Sequence, residues 1–268
     1  MNALVHKLKQ IPAGLTRRFD ERLALRAINR DRKFWEQTRG SQRGKRAFII
    51  GNGPSLRFDD LDRLANEVTF ACNRIYLAWP RTKWRPTYIT VADQLVWKKF
   101  HREISESTDR VFIPHFLVHA GLIQTNTLVY QGLPTVAHPF SGTINFSDNA
   151  VDGIWSGWTV TVDNIQLALH MGCDPLYIVG CDHCYEQSNK VSVNQPIEVK
   201  DEQNHFVKGY RQRGELVNPA PVKEMESAYR HARAFCEQKG IGIFNATRGG
   251  RLEIFERTDL DTILAEKG

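Results

Sequence analysis

The sequence predicts an α/β fold: a mostly parallel β-sheet with helices on both faces. Two observations predict it. Short apolar runs recur along the chain and alternate with helical segments, which is the pattern of a covered parallel sheet. Two of those runs, Phe48–Ile50 and Leu176–Val179, empty directly into polar, glycine-bearing turns, as strands do at the carboxyl edge of an open sheet. The 268 residues, 41% hydrophobic and 25% charged, suit one large domain with a substantial core plus an appendage.

The appendage comes first. Residues 1–46 carry 13 Lys/Arg against 4 Asp/Glu, or +9, so the rest of this +6 chain is net −3. Leu15, Phe19, Leu23, Leu25, Ala27, Ile28 and Trp35 interleave there with Arg17, Arg18, Arg22, Arg26, Arg30 and Arg32. Residues 1–45 therefore read as a basic amphipathic helical arm, suited to an anionic membrane surface or an acidic partner. The competing reading is a solvated helix packed on the domain. No nucleic-acid-reading module or aromatic stacking platform accompanies the arm, so no nucleic-acid partner is expected. Ser41–Lys45 reads as a hinge, and residues 46–268 as the folded domain.

Strands are expected at Ala47–Ile50, Val68–Cys72, Tyr88–Val91, Val111–Ile113, Leu128–Tyr130, Leu176–Val179 and Ile241–Asn245. Helices are expected near Phe58–Ala65, Gln94–Arg102, Val160–Met171 and Pro221–Lys239. The Asp59-Asp60-Leu61-Asp62 cluster reads as a helix start. Leu167, Ala168 and Met171 give the third helix an apolar stripe, and Gly172 supplies a left-handed stop. Residues 186–220 are polar and aperiodic, the mark of a lid or binding loop. Gly249-Gly250 reads as a turn into a last strand over Arg251–Phe255.

The candidate chemistry gathers at the strand ends. In Gly51-Asn52-Gly53-Pro54-Ser55, two residues without Cβ allow positive φ and close approach of a ligand, Pro54 stiffens the turn, and Ser55 can cap the next segment. Such a turn presents N–H groups to a phosphate. Its spacing is neither that of a dinucleotide fingerprint nor that of a Walker loop, and glycine needed for geometry alone is the competing reading. Ser156-Gly157, ahead of the Val160 helix, offers a hydroxyl and amides at a helix N-terminus, a second anion site or a simple cap. Asp182, His183 and Tyr185 stand beyond the Leu176 strand, and His205, Phe206 and Tyr210 lie in the long polar stretch.

Five scattered cysteines (Cys72, Cys173, Cys181, Cys184 and Cys236) make no secreted disulfide framework. Cys181-Asp182-His183-Cys184 lacks the second ligand pair of a zinc site, so no metal site is expected. Without a signal-peptide core or an apolar stretch of roughly 20 residues, the expected location is cytoplasmic, with the arm permitting peripheral contact with the inner membrane.

Taken in order, Gly51-Asn52-Gly53-Pro54-Ser55-Leu56, Cys72-Asn73-Arg74-Ile75-Tyr76, Ser156-Gly157 and Tyr177-Ile178-Val179-Gly180-Cys181-Asp182 resemble the small bacterial sialyltransferases of lipooligosaccharide synthesis. They equally resemble the MptE-like 6-hydroxymethylpterin diphosphokinase superfamily, which includes the motility accessory factor glycosyltransferases. The resemblance runs from about residue 46 to residue 264. It implies a Rossmann-like (GT-A-like) fold and inverting, metal-independent transfer of a sialic acid-like sugar from a CMP- or other nucleotide-activated donor to a glycan or lipid-linked glycan. No cofactor is then required, and a homo-oligomer is compatible. By the same resemblance Asn52 and Asn73 contact the nucleotide phosphate and ribose, Ser156 and Gly157 the nucleotide or the sugar carboxylate, Asp182 the base and ribose, and Tyr185 the departing phosphate. Tyr210 stands where the family's loop carries its catalytic histidine, with His205 close by; Ala92-Asp93 replaces the family's Asn-Pro.

Inverting transfer needs a base for the acceptor hydroxyl and a stabiliser for the leaving phosphate. His205 is the candidate base, with His183 in reserve, because an imidazole titrates near neutral pH. Tyr185, Tyr210 and the amides of Gly53 and Gly157 are candidate stabilisers. Two alternatives stand beside this reading. A pyrophosphokinase would pass diphosphate from ATP to a pterin alcohol, with Mg²⁺ drawn to carboxylates such as Asp93 and Asp182. A non-catalytic nucleotide-binding protein would dock on the membrane through the arm.

Overall fold

The computed structural model describes residues 13–119, 122, 124–185, 195–200 and 203–265. Residues 1–12 of the arm, and residues 186–194 and 201–202 of the long polar stretch, lie outside the described residues.

Eight strands form one all-parallel sheet. They are β1 (Ala47–Ile50), β2 (Val68–Cys72), β3 (Tyr88–Thr90), β4 (Val111–Pro114), β5 (Thr127–Tyr130), β8 (Leu176–Val179), β11 (Ile243–Asn245) and β12 (Glu256–Arg257). Their spatial order is β12-β11-β8-β1-β2-β3-β4-β5. The chain builds outward from β1 to β5, then returns to lay β8 against the other side of β1. The order therefore reverses between β1 and β8, and their carboxyl ends open a crevice there. Two short strands, β6 (Gly132–Thr135) and β7 (Ile154–Ser156), pair in parallel as a small second sheet, and β9 (Ile197–Glu198) pairs antiparallel with β10 (Leu216–Val217).

Alternation along the central strands divides the core in two. Ala47, Ile49, Phe70, Tyr88, Phe112 and Ile178 face one core, closed by α4 (Val160–His170) and α5 (Val222–Lys239). Phe48, Ile50, Ala71, Ile89, Ile113 and Val179 face the other, closed by α2 (Phe58–Arg63), α3 (Gln94–Glu106) and α6 (Leu260–Ala265). Every residue of β1, β2, β3, β4 and β8 is buried, as expected of parallel strands covered on both faces.

The first helix, α1 (Ala13–Thr38), lies against β5, the last strand of the sheet. Ala24 and Ala27 contribute to one core and Trp35 to the other. Its side chains take the place of the missing neighbour strand. The Val129 amide donates to Asp31 Oδ2 at 2.8 Å, Trp35 Nε1 donates to the Val129 carbonyl at 2.8 Å, and Arg30 Nη2 donates to the Thr127 carbonyl at 2.7 Å. Arg30 also forks onto both oxygens of Asp31.

The seven strands expected from Ala47 to Asn245 all form, within two residues of their expected bounds. One expectation is corrected: Arg251–Phe255 is not a strand, because Arg251 turns back so that its amide donates to the Asp182 carbonyl at 2.7 Å, and the last strand begins at Glu256. The helix-start reading of Asp59–Asp62 holds, and Asp60 pairs there with Arg248 at 2.8 Å. Among the described residues no helix is long and apolar enough to cross a membrane.

Candidate functional site

The turns after β1 and β8 lock together. The Gly51 amide donates to the Val179 carbonyl and the Gly53 amide to the Gly180 carbonyl, each at 2.8 Å. A Cβ on Gly53 would stand 1.9 Å from Asp182 Oδ2, and one on Gly51 would stand 2.4 Å from the Gly180 carbonyl oxygen. Neither residue has a positive φ, so glycine is demanded here by the close approach of the Gly180 backbone and the Asp182 carboxylate rather than by a left-handed turn. Ser55 does not cap α2, whose N-cap is Arg57. Its hydroxyl donates instead to Asp182 Oδ2 at 2.8 Å and fixes that carboxylate across the crevice.

Two adjoining hollows occupy the crevice. The first, about 130 Å³, is lined by Gly51, Asn52, Gly53, Asp182, His183 and His205 among others. The second, about 430 Å³, is lined by Asp93, Ser156, Gly157, Trp158 and Asp163 among others. Asn73, Thr159, Val160 and Tyr185 line both, and Pro54 and Ser55 line neither. The turn at residues 51–53 and the Ser156-Gly157 pair therefore face one divided cleft. The larger part alone falls in the usual size range of small-molecule sites, roughly 300–1,000 Å³.

Several polar atoms of the cleft are left without partners. Asn52 Nδ2 donates to the Cys72 carbonyl at 3.0 Å and to the Tyr210 hydroxyl at 3.1 Å, which leaves Oδ1 buried without a partner. Asn73 Oδ1 is likewise buried and unpartnered. A buried acceptor without a donor costs about 1–3 kcal/mol, so both oxygens call for ligand O–H or N–H groups. The backbone is strained as well. Among the described residues the non-glycine positions with positive φ are Asn73 at 51°, Trp158 at 61° and His183 at 55°, and all three line the cleft. Strained residues of this kind gather where a site over-determines its geometry.

The segment after β9 closes one side. The Phe206 amide donates to the Asn52 carbonyl at 3.0 Å, and His205 stacks on Tyr210 with ring centroids 3.8 Å apart. Tyr210 is only 1% exposed and lines neither hollow. Burial pushes its phenol up, and Arg74 donates to its carbonyl while standing over the Phe100 ring at 3.9 Å. Tyr210 thus builds the wall behind Asn52, its hydroxyl engaged by the Asn52 side-chain amide. His183 sits between Tyr185 and Tyr229, its Nε2 3.4 Å from Glu226 Oε1; burial lowers its pKa, which keeps the ring neutral at pH 7. Tyr185 lies on the partition between the hollows, with its phenol pushed up by burial.

Two expectations change in role. Ser156 ends β7 and Gly157 follows it, whereas the cap of α4 is Thr159, whose side chain accepts from the Thr161 amide. The Ser-Gly pair therefore stands ahead of the helix's cap and does not supply it. Asp93 is the cap of α3, its Oδ1 accepting from Leu95 N at 2.7 Å and Val96 N at 3.2 Å. Asp163, Trp158 and Asn204 also line the cleft, and the sequence alone did not single them out. Trp158 stands between Gly157 and a cap-type Thr, a position that flags a break before a helix; Asp163 looks like any first-turn acid.

Asp182 and Asp93 line different hollows, and each has an oxygen already engaged, by Ser55 and by the α3 amides. Among the described residues no three His, Cys, Asp or Glu side chains group as a metal cage. These two carboxylates do not fit a shared Mg²⁺ site.

The sequence profile of the MptE-like family, described as 6-hydroxymethylpterin diphosphokinase MptE-like, matches residues 25–188, more than half of the chain. The chain belongs to the MptE-like family. The MptE-like match begins within α1 and ends beyond β8, so it takes in both locked turns, Asn73, the Ser156-Gly157 pair and Asp163; His205 and Tyr210 fall after it. The chain matches no curated protein and no solved structure.

Proposed function

We propose that this MptE-like protein is a glycosyltransferase that takes an inverting, metal-independent route from a nucleotide-activated sugar to a glycan acceptor. The observation that carries the reading is the divided cleft at the β1/β8 reversal, with the unpartnered Asn52 and Asn73 oxygens facing a ligand rich in hydroxyl donors. Ionised phosphate accepts hydrogen bonds and does not donate them. Those two oxygens therefore suit ribose or sugar hydroxyls, whereas the Gly51, Gly53 and Ser55 amides are held by Val179, Gly180 and Asp182, so the expected role of the Gly53 amide at the phosphate is not supported. No Lys or Arg lines either hollow among the described residues. That charge pattern suits the single phosphodiester of a CMP-sugar better than the dense charge of a triphosphate.

The second reading is the pyrophosphokinase that the family's description suggests. Its support is family membership, and the poor fit of Asp93 and Asp182 to a shared cation weighs against it. Calorimetric titration with CMP, a CMP-sugar and Mg-ATP decides between the two. CMP binding that survives a chelator supports the glycosyltransferase; tight ATP binding that requires Mg²⁺ overturns it in favour of the kinase.

The acceptor fits a lipid-linked or cell-surface glycan reached from the cytoplasmic face. The outward side of α1 carries Arg22, Arg26, Arg32 and Lys33 around Leu25, which is 60% exposed. This surface suits anionic headgroups. Co-sedimentation with anionic vesicles that weakens with salt supports the contact, and binding unchanged by Arg22→Glu with Arg26→Glu refutes it.

A further inference from the structure

Asp163 is a buried acid without a cation. It lies in the first turn of α4, 5% exposed, and still lines the second hollow. The Tyr130 hydroxyl donates to its Oδ2 at 2.5 Å. Among the described residues no Lys, Arg or His pairs with the carboxyl, and no hydrogen bond occupies its other oxygen. A bare buried carboxyl destabilises a fold, and a structural role would be served as well by an amide.

The hollow around it has the character of an acceptor site. Two of the large apolar side chains that stand exposed, Trp158 at 41% and Phe116 at 46%, form part of its lining. Asn218 and the Pro219–Pro221 segment close the side nearest α5. Aromatic faces beside polar groups suit the apolar face of a sugar ring. His205 and His183 line only the first hollow. In an inverting displacement the attacking hydroxyl approaches from the side opposite the leaving phosphate, so its base belongs on the side away from the nucleotide.

We propose that the second hollow receives the acceptor, a hydroxyl-bearing molecule with an apolar ring face, and that Asp163 takes the proton from the attacking hydroxyl. The proposal rests on the glycosyltransferase reading, in which the first hollow holds the nucleotide end of the donor. The acceptor O–H proton passes to the Asp163 oxygen that Tyr130 does not hold, and the acceptor oxygen bonds to the anomeric carbon. The bond from that carbon to the phosphate oxygen breaks, and its electron pair leaves with the nucleotide. Burial raises the Asp163 carboxyl to about 7, near the operating pH of an efficient base. Tyr130 is a positioning residue, since it touches Asp163 and lines neither hollow.

The test uses the full chain and CMP-sialic acid, with water as the acceptor, and measures CMP release together with CMP affinity by calorimetry. Asp163→Asn is expected to lower kcat by about 10²–10⁴-fold, the usual contribution of a general base, with CMP affinity within two-fold of the parent. Tyr130→Phe removes a hydrogen bond that favours the carboxylate, so its acid limb is expected to move to higher pH. Tyr130 is the titratable group in contact with Asp163; Asp93 and Tyr185 face the same hollow and are unchanged in the comparison. CMP release by Asp163→Asn within three-fold of the parent overturns the proposal alone. So does loss of CMP affinity in step with the rate, or a large loss in His205→Ala with none in Asp163→Asn. A parent chain that neither binds CMP nor releases it sinks the donor reading, and this proposal falls with it.

Discussion

The β5 edge and the β1/β8 crevice are built from similar materials and end in opposite states. At the edge, α1 supplies Asp31, Trp35 and Arg30, which satisfy both polar groups of Val129 and the Thr127 carbonyl. In the crevice, Asn52 and Asn73 keep oxygens buried without partners, three non-glycine residues hold left-handed backbone, and Asp163 sits without a cation. Both regions lie at strand ends or sides where main-chain groups need partners. One region is finished by the protein itself, and the other is left for a ligand to finish. Unpartnered polar atoms also occur in the core, at Trp84, Trp97 and His101, so what marks the crevice is that its unpartnered oxygens coincide with left-handed backbone and face a hollow.

Substitutions that exchange these states test the contrast. Trp35→Ala is expected to show the largest effect, a loss of about 3–5 kcal/mol for a fully packed tryptophan, read as a lower urea midpoint. CMP affinity of the folded fraction should not change; if it falls with stability, the two regions are coupled and the contrast fails. Asp31→Ala strands the Val129 amide and the Arg30 guanidinium, and should cost about 1–3 kcal/mol, again without touching binding. A variant as stable as the parent would show that α1 is dispensable at that edge.

In the crevice the sign turns round. The Asp163 carboxyl titrates at about 7 in the folded chain against 3.8 for the ordinary group. Between those values the folded state holds a proton that the unfolded state has lost, so this group lowers stability as pH rises toward 7 and adds no further slope above it. Asp163→Asn should therefore gain on the parent by up to about 1.4 kcal/mol for each pH unit across that window, measured by urea unfolding at matched pH. Parallel curves for the two proteins would mean the carboxyl is solvated. The smallest expected stability effect is that of Asn73→Gly, within about 1 kcal/mol because glycine accepts the left-handed backbone. CMP affinity should nevertheless drop about ten-fold, or 1.4 kcal/mol. Equal losses in both quantities would make Asn73 an architectural residue.

Much of the frame was legible in the sequence, for a physical reason. Parallel strands covered on both faces must be continuously apolar, and runs such as Phe48–Ile50 and Leu176–Val179 announce themselves. Gly132-Leu133-Pro134-Thr135 carries a proline and no alternation, so β6 and its partner β7 gave no periodic signal, and two-residue strands such as β9 have no period at all. The two locked turns were visible because glycine and polar residues directly follow apolar runs. Asp163 was hidden because a first-turn acid is ordinary helix chemistry; only the tertiary fold shows that it is buried, faces a hollow and lacks a cation. Ser55 and Tyr210 read as ligand groups in isolation, yet their partners, Asp182 and Asn52, are more than a hundred residues away in sequence.

The two rims of the main sheet carry a consequence for assembly. One rim has its hydrogen-bonding groups met by a helix, and the other stops at β12, two residues long with a glutamate and an arginine. Short, charged or covered borders resist templating of a foreign strand. Among the described residues, neither rim of the eight-stranded sheet therefore offers a long bare edge for a second copy to extend. That leaves the mouth of the crevice, at the strands' carboxyl ends, unobstructed by β-augmentation.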